Sequence, residues 1–347
     1  MSSTPTTQSH PAQQAKKEAL LQALNKTPFR VPRWLRGQHS QTLWAALARR
    51  PKGIQRSQEW LDTPDNDQLR LYSIAGDPEK PTVLLLHGLE GSAQSPYILG
   101  LQRLFAQQGW NTYALEFRTC GGEFNNAQRL YHLGETTDLD LVVRFLLERD
   151  PAMRLYLAGF SMGGNITGKW LGEKADKVPS QIKGASIVSS PFDLTISGPH
   201  IDKVFAGIYV RYFLRTLIPK ALKKHKQFPG VLDAEKIRRS KTFQEFDTYA
   251  TAALHGFEDA QDYWEQSSCG QFLPHIHVPT MLLTSADDPF NPPSTLPTEH
   301  AERSPFLIPQ FTQRGGHVGF VAGAPWKTYN WAEHQTLRFF NLLSNAD

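Results

Sequence analysis

Short apolar runs that are typical of buried strands alternate with amphipathic helical patterns between residues 69 and 189. The clearest apolar run is VLLL at 83–86, which leads into Gly88, and the clearest helical spacing is at 135–149. The pattern predicts strands at 69–74, 82–87, 112–117, 154–158 and 184–189, and helices at 96–108, 135–149 and 162–174. Such alternation predicts an α/β protein with a mostly parallel central sheet flanked by helices.

The alternation stops after residue 192, where aromatic residues recur at helix-like spacings and no buried strand is evident. It resumes with a strand at 279–285, a weaker strand at 310–313 and a closing helix at 327–343. We therefore expect a helical lid or cap inserted between two sheet strands. The predicted organisation is a polar N-terminal extension (1–28), a first part of the core (29–192), the helical insertion (193–276) and a second part of the core (277–347).

Two shorter helices are predicted near the N-terminus. The chain is polar up to about residue 14, which is typical of a frayed terminus, and a helix is expected at 16–25. A second helix is expected at 40–50, with Ser40 as its N-cap.

Composition excludes several classes of protein. Of the 347 residues 40% are hydrophobic and 20% charged, which is ordinary for a globular chain and rules out extensive disorder. The net charge of +4 is too small to indicate nucleic-acid binding by itself. The two cysteines cannot form a disulfide framework, and neither a membrane-spanning apolar run nor a signal peptide is visible. We expect a soluble cytoplasmic protein.

The sequence GFSMGG at 159–164 lies between a predicted strand and a predicted helix. It matches G-x-S-x-G in the strand–turn–helix context that gives this motif its meaning. The glycines allow the tight elbow that lifts the Ser161 hydroxyl out of the sheet, and the following helix offers free N–H groups to a developing anion. The alternative is an ordinary small-residue turn, but the surrounding pattern favours a nucleophile.

A serine hydroxyl needs a base, and the base needs an orienting carboxylate, in the chain order serine, acid, histidine. The adjacent Asp287 and Asp288 follow the strand at 279–285, and His317 follows the next strand between glycines. Two neighbouring side chains cannot both face one imidazole. Asp288 is favoured because it stands four residues before Pro292, and Asp287 is then expected to cap the loop.

The oxyanion hole is expected from two backbone N–H groups, those of Met162 and Leu89. Leu89 belongs to the glycine-rich loop HGLEGS, which follows a buried strand. The alternative is a plain strand-to-helix turn. His87 is interpreted as a structural hydrogen-bonding residue rather than a catalytic one.

Seven blocks carry a resemblance to a known family: FRVPRWLRGQHSQTLW (29–44), HGLEGS (87–92), FRTCGGEFN (117–125), GFSMGGN (159–165), SSPFDL (189–194), SADDPF (285–290) and GGHVGF (315–320). The chain resembles the YheT-like α/β-hydrolases, esterases related to the animal abhydrolase-domain lipases. The resemblance implies a hydrolase of carboxylic esters with Ser161, Asp288 and His317 as its triad. Thr119 departs from the glycine more frequent in the family, so details of that loop are not carried over.

No cofactor or metal is predicted, because the sequence has neither a nucleotide-binding glycine motif nor ligands at metal-site spacing. Cys120 is not expected to be a nucleophile, because no histidine and acid remain to activate it. Small-molecule esters or lipids are the expected partners. A lipase, phospholipase, thioesterase or amidase would use the same triad, and a catalytically silent protein that binds acidic lipid or nucleic acid is the remaining alternative.

The helical insertion has a basic stretch between residues 220 and 241. Its basic residues are Lys220, Lys223, Lys224, Lys226, Lys236, Arg238, Arg239 and Lys241. They are either a solvated surface or a face for peripheral contact with anionic lipid.

Overall fold

A central sheet of eight strands organises this computed structural model, which describes residues 11–49 and 54–345. The strands are β1 (Ser57–Thr63), β2 (Asp67–Ile74), β3 (Thr82–Leu86), β4 (Asn111–Glu116), β5 (Leu155–Phe160), β6 (Ile182–Val188), β7 (Thr280–Ser285) and β8 (Leu307–Thr312). Their order across the sheet is β1-β2-β4-β3-β5-β6-β7-β8. β2 pairs antiparallel with β1 and with β4, whereas all other pairs are parallel. The predicted mostly parallel α/β architecture is confirmed.

Helices cover both faces of the sheet. In the core they are α1 (Pro11–Leu24), α2 (Gln38–Leu43), α3 (Pro96–Ala106), α4 (Thr137–Arg149), α5 (Met162–Lys174), and, after the insertion, α12 (Thr298–Arg303) and α13 (Trp331–Ser344). Short 3₁₀ turns occupy Ala175–Lys177 and Pro293–Thr295. Across residues 11–49 and 54–345, no helix combines the length and the apolar character that crossing a membrane requires.

The middle strand β3 shows why the sequence pattern is continuous rather than alternating. Leu84 and Leu86 pack on one side of the sheet in a cluster with α4 and α5. Val83 and Leu85 pack on the other side with α1, α3 and α13. Because successive side chains of a strand point to opposite faces, a strand buried on both faces must be apolar at every position.

The helical insertion, residues 193–276, contains helices and no strand. It comprises α6 (Leu194–Lys203), α7 (Ile208–Gln227), α8 (Ala234–Arg239), α9 (Phe243–Phe246), α10 (Ala253–His255), α11 (Ala260–Ser267), 3₁₀ turns at Val204–Gly207 and Cys269–His275, and a π-helical turn at Asp247–Ala252. Its buried residues form a hydrophobic cluster of their own, which includes Leu217, Phe246 and Trp264. The domain division and the action of this segment as a lid stay predictions.

Several predicted boundaries were wrong. The closing helix begins at Trp331 rather than residue 327, because β10 (Lys327–Asn330) pairs antiparallel with β9 (Val321–Ala324). The Asn330 side chain then caps the helix by accepting from the Glu333 N–H at 3.1 Å. The half-exposed edge strand β1 was missed, because only one of its residues, Thr63, is buried.

At the N-terminal end of the described residues, the first helix spans Pro11–Leu24, so residues 11–14 are helical rather than frayed. Residues 1–10 of the predicted frayed stretch lie outside the described residues. The second helix begins at Gln38, with Gly37 at its N-cap and Ser40 already inside it. The Ser40 hydroxyl donates back to the Gly37 carbonyl at 2.8 Å. The helix continues as a π-helical turn over Trp44–Ala48, and residue 50 is outside the described residues.

The topology brings the predicted site residues to one edge of the sheet. Loop 87–92 follows β3, Ser161 follows β5, Asp288 follows β7 and His317 follows β8. These four strands run parallel, so their carboxyl ends meet at the same edge, where open α/β sheets bind their ligands.

Candidate active site

Ser161 stands on a tight turn between β5 and α5. Its φ of 51° and ψ of −117° are rarely adopted by residues other than glycine. A Cβ at Gly159 would overlap the Gly163 carbonyl, and one at Gly163 would overlap the carbonyl of Leu86 on β3. The two motif glycines therefore let the turn close on itself and let the start of α5 pack against the neighbouring strand.

A continuous chain of hydrogen bonds joins the three predicted triad side chains. His317 Nε2 lies 2.9 Å from Ser161 Oγ, and His317 Nδ1 lies 2.9 Å from Asp288 Oδ2. A carboxylate can only accept, so Nδ1 carries the proton and Nε2 accepts from the serine hydroxyl. Asp288 and His317 are 3% and 8% exposed, so the pair is largely shielded from water. The structure thus brings Ser161, His317 and Asp288 together, while their catalytic roles remain a prediction.

Asp288 is held by its own loop. Its Oδ1 accepts from the backbone N–H groups of Phe290 at 2.8 Å and Asn291 at 3.3 Å, and its Oδ2 accepts from the Asn291 side-chain amide at 3.2 Å. These donors leave the carboxylate one orientation, which is the one that faces His317. The contribution of the Asn291 side chain to orienting Asp288 was not predicted, because nothing in the surrounding sequence distinguishes it from any other loop asparagine.

The loop that carries His317 is fastened from two sides. Asp287 Oδ1 accepts from the Gly316 N–H at 2.9 Å, so the second aspartate caps this loop instead of facing the imidazole. On the other side, Thr42 Oγ1 accepts from the His317 N–H at 2.9 Å. The Phe290 ring covers the imidazole at a centroid separation of 4.1 Å. Thr42 and Phe290 were missed as supporting residues, although both lie in sequence blocks that carry the family resemblance.

The two predicted oxyanion donors border the same cavity as the serine. A Cβ at Gly88 would lie 3.2 Å from Ser161 Cβ, so loop 87–92 passes directly beside Ser161. In this loop the N–H groups of Gly88 and Glu90 donate to the hydroxyls of Tyr97 and Tyr131. The intervening Leu89 N–H is bonded to no acceptor among the described residues. Met162 is the first residue of α5, where backbone N–H groups have no partner within the helix. Both amides are therefore free to bind an oxyanion, and this role stays a prediction.

Two other reactive side chains near the site are inert. His87 is buried, its Nδ1 donates to the Gly88 carbonyl at 2.8 Å and its Nε2 accepts from the Phe117 N–H at 3.2 Å. Burial lowers the pKa of His87 to about 4, so the ring stays neutral. Burial also raises the pKa of the Cys120 thiol to about 12, which keeps it from forming the nucleophilic thiolate.

A cavity of about 480 Å³ lies over the serine. Ser161, Met162, Leu89 and His317 line it on the side of the sheet. On the side of the helical insertion most lining residues are apolar or aromatic, among them Leu194, Phe213, Leu217, Phe243, Phe246 and Trp264. Such a cavity, with a few polar groups at one end, is the usual form of a small-molecule site.

The basic stretch of the insertion carries less unpaired charge than its sequence suggests. Lys220 forms an ion pair with Glu90 at 2.6 Å, and Glu235 pairs with both Arg238 and Arg239. Lys224 is buried and donates to the carbonyls of Asn125 and Ala127. At least two of these lysines therefore attach the insertion to the core instead of facing solvent.

Comparison with known proteins agrees with this geometry. A family model described as alpha/beta hydrolase fold matches residues 81–323. The chain belongs to the α/β-hydrolase family. It is 34% identical over 300 residues to the Escherichia coli (strain K12) protein named "Putative esterase YheT", covering 85% of this chain and 87% of that one. It is also 30% identical over 278 residues to "Phospholipase ABHD3" of Bos taurus, covering 80% of this chain and 66% of the relative.

Among solved structures, the Pyrococcus furiosus esterase Pf2001 superimposes with a TM-score of 0.55 at 18% identity, covering 84% of this chain and 93% of that one. A likeness at this identity concerns the fold alone. The predicted family and fold are confirmed, and the predicted hydrolysis of ester bonds agrees with the names of the relatives.

Proposed function

We propose that this protein is a serine carboxylesterase that hydrolyses esters through Ser161, His317 and Asp288. The observation that carries the proposal is the unbroken hydrogen-bond chain between these side chains at the base of an apolar cavity. A serine becomes a useful nucleophile at neutral pH only with a base in contact and an acid behind that base.

The reaction follows from the positions of these groups. The Ser161 oxygen attacks the ester carbonyl while His317 Nε2 takes its proton, and Asp288 stabilises the charged imidazole. The N–H groups of Met162 and Leu89 bind the oxygen that becomes negative. His317 then donates the proton to the departing alcohol, which leaves an acyl-enzyme. Water, deprotonated by His317, releases the acid and regenerates the serine.

The apolar walls support a carboxylic ester with a short or medium acyl chain. A lipase, phospholipase or thioesterase is the alternative, and the phospholipase among the relatives favours testing it directly. All of these substrates would use the same three residues, so they are separated by a panel of acyl chains, thioesters and phospholipids rather than by further mutations.

The test is hydrolysis of short-chain p-nitrophenyl esters by the wild type and by Ser161→Ala, with the exposed Ser180→Ala as the matched control. We expect Ser161→Ala to lower kcat by about 10⁴–10⁶-fold and Ser180→Ala to have no effect. A fluorophosphonate probe should label wild type and Ser180→Ala but not Ser161→Ala. Equal activity of Ser161→Ala and Ser180→Ala would refute the mechanism. If neither the wild type nor the variants hydrolyse any ester, and the wild type binds acidic lipid or RNA specifically, the alternative of a catalytically silent binding protein would be favoured.

A second proposal concerns the cavity mouth, which we suggest contacts anionic lipid surfaces. Three large apolar side chains that line the cavity are exposed on the insertion: Phe205 (39%), Ile208 (45%) and Tyr212 (63%). Arg211 and Arg215 lie on the same helix, α7. Combined replacement of Ile208 and Tyr212 by serine should weaken sedimentation with phosphatidylglycerol vesicles, whereas the exposed Trp326→Ser should not. Equal binding of all three proteins would contradict this contact.

We also propose a cytoplasmic location. Its support is that Cys120 and Cys269 are both buried free thiols, as expected in a reducing compartment.

A further inference from the structure

Two buried side-chain polar atoms on residues that line the cavity lack a hydrogen-bond partner among the residues that the structure describes. They are Ser197 Oγ and His255 Nε2, both on the side of the helical insertion. Ser197 is only 5% exposed. A buried polar group left unpaired costs about 1–3 kcal/mol, and native structures keep few of them. Two such atoms on residues of one cavity wall are candidates for hydrogen bonds with a ligand.

Both residues lie on the side of the cavity that carries further polar residues of the insertion. Asp247, Thr251 and His255 recur every four residues along the π-helical turn and α10, and all three line the cavity. Helix α6, which carries Ser197, packs beside the same segment: a Cβ on Gly198 would lie 2.8 Å from the Trp264 ring, whose Nε1 donates to Asp247 Oδ2 at 2.9 Å. We call Ser197, Asp247, Thr251 and His255 the polar wall.

The polar wall is not a second catalytic triad. The Asp247 carboxyl accepts from Thr251 Oγ1 at 2.7 Å and from Trp264 Nε1, so its bonds are directed away from His255. The ring next to His255 is that of His132, at a centroid separation of 4.4 Å. No proton relay connects the serine, the histidine and the acid of this wall, and its groups are therefore suited to binding rather than to bond cleavage.

The charges around the cavity disfavour an anionic ligand at this wall. Burial, together with neighbouring His132, lowers the pKa of His255 to about 3, so the ring is neutral at pH 7. Among the residues that the structure describes, the permanent cations in the cavity lining are Arg49 and Lys220, and they are paired with Glu333 and Glu90. A hydroxyl group, which both donates and accepts, matches a serine hydroxyl and a neutral imidazole nitrogen.

We propose that the polar wall binds an uncharged hydrogen-bonding group of the substrate, and that this group is a hydroxyl. It lies at a distance from the ester bond that Ser161 attacks. The inference rests on the proposed esterase function of the cavity. It assigns the substrate class as esters that carry a hydroxyl on the acyl part or on the alcohol part. A hydroxyl on the acyl part and a hydroxyl on the alcohol part would make the same hydrogen bonds with Ser197 and His255. The experiment below has one arm for each.

The acyl arm of the test uses p-nitrophenyl octanoates in which a hydroxyl is moved one carbon at a time along the chain. The alcohol arm uses octyl butanoates that are hydroxylated in the same way. For each compound kcat/KM is divided by that of the unsubstituted ester. In the wild type we expect a maximum at one or two positions of one arm. If the relative kcat/KM shows no maximum in either arm, the proposal is overturned.

Ser197→Ala and His255→Phe should each lower that maximum about 3–10-fold, the range for losing one hydrogen bond between uncharged groups. The control is Ser240→Ala, a buried serine of the insertion whose hydroxyl donates to the Lys236 carbonyl at 3.1 Å, outside the cavity lining. It should leave the whole profile unchanged, and thermal melting checks that all variants are folded. An unchanged maximum in both polar-wall variants, or equal turnover of a carboxylate-terminated ester, would contradict the assignment.

A binding measurement keeps this inference separate from the esterase proposal. Calorimetry on the Ser161→Ala protein compares octanol with 1-fluorooctane, which lacks the hydroxyl, and neither compound requires turnover. Octanol should bind about 3–10-fold more tightly, and adding Ser197→Ala should reduce the difference. Equal affinities for the two compounds would refute binding by the polar wall even if the wild type hydrolyses esters. A difference in affinity, together with a wild type that hydrolyses no ester, would support binding by the polar wall and refute the proposed esterase function.

Discussion

The two sides of the cavity are built on different principles. On the side of the sheet, Ser161, Asp288 and His317 stand on loops at the ends of parallel strands, and their reacting groups are hydrogen-bonded to one another. On the side of the insertion, the polar wall stands on short and partly irregular helices, and two of its polar atoms have no partner within the described residues. The first side is organised before substrate arrives, as bond chemistry requires, whereas the second leaves hydrogen bonds for the substrate to complete.

The largest expected effect separates the two adjacent aspartates. Asp288→Asn should lower kcat about 10⁴-fold, because an amide cannot hold the imidazole in the tautomer that accepts the serine proton. Asp287→Asn should lower kcat by roughly 10-fold or less, because an amide oxygen can still accept from the Gly316 N–H. Steady-state kinetics on a p-nitrophenyl ester measures both variants. A larger loss for Asp287→Asn would reverse the assignment of the acid.

The next effect concerns the oxyanion donors, which are backbone groups. Incorporating the α-hydroxy analogue of leucine at position 89 replaces the N–H by an ester oxygen and keeps the side chain. We expect kcat to fall about 10²–10³-fold, with KM changed little, because the donor acts on charge that develops in the transition state. The same exchange at Leu99, whose N–H makes the first hydrogen bond of α3 with the Ser95 carbonyl, is the control. Equal losses at both positions would exclude Leu89 as a donor.

A smaller effect is expected from two glycines that share a left-handed backbone. Gly316 has a φ of 63°, and a Cβ there would lie 2.6 Å from the Gln38 carbonyl, whereas Gly230 has a φ of 90° with open space around it. Gly316→Ala should lower the free energy of unfolding by roughly 2–4 kcal/mol and also lower kcat, and Gly230→Ala should cost about 1 kcal/mol without affecting kcat. Urea unfolding measures the free energy of unfolding of both variants, and steady-state kinetics measures their kcat. Equal effects of the two substitutions would show that the His317 loop tolerates displacement.

The smallest effect is a pH dependence of stability that arises in the polar wall. Burial raises the pKa of Asp247 from 3.8 to about 7 in the folded protein. Between about pH 4 and 7 the folded state therefore keeps a proton that the unfolded state releases, and stability falls as pH rises through this window. Asp247→Asn removes this titration, so its melting temperature relative to wild type should be higher at pH 8 than at pH 5. If the difference in melting temperature between Asp247→Asn and the wild type does not change with pH, the pKa of Asp247 is not raised in the folded protein.

The contrast between the two sides also explains what the sequence could predict. Ser161, His317 and the preceding acid could be predicted as site residues because each lies in a short motif at the end of a strand, where backbone geometry restricts the residue type. The choice of Asp288 over Asp287 agrees with the hydrogen bonds. The polar wall has no such motif, because Ser197, Asp247 and His255 come together only through the packing of α6, the π-helical turn and α10.

The fold was predictable to a similar extent. Strands buried on both faces, such as β3, have continuous apolar runs that make them evident. The edge strand β1 and the hairpin of β9 and β10 are held mainly by backbone pairing, and their side chains are partly exposed, so they left little hydrophobic pattern. Thr42 was recognised only within a matching block, because its contact with the His317 loop spans 275 positions of the chain.

That long-range contact constrains when the protein can become active during its own synthesis. Thr42 is synthesised 275 residues before His317, whose backbone it holds. A nascent chain can therefore assemble much of its sheet while His317 is still missing. Translation intermediates that stop before residue 317 should not react with fluorophosphonate.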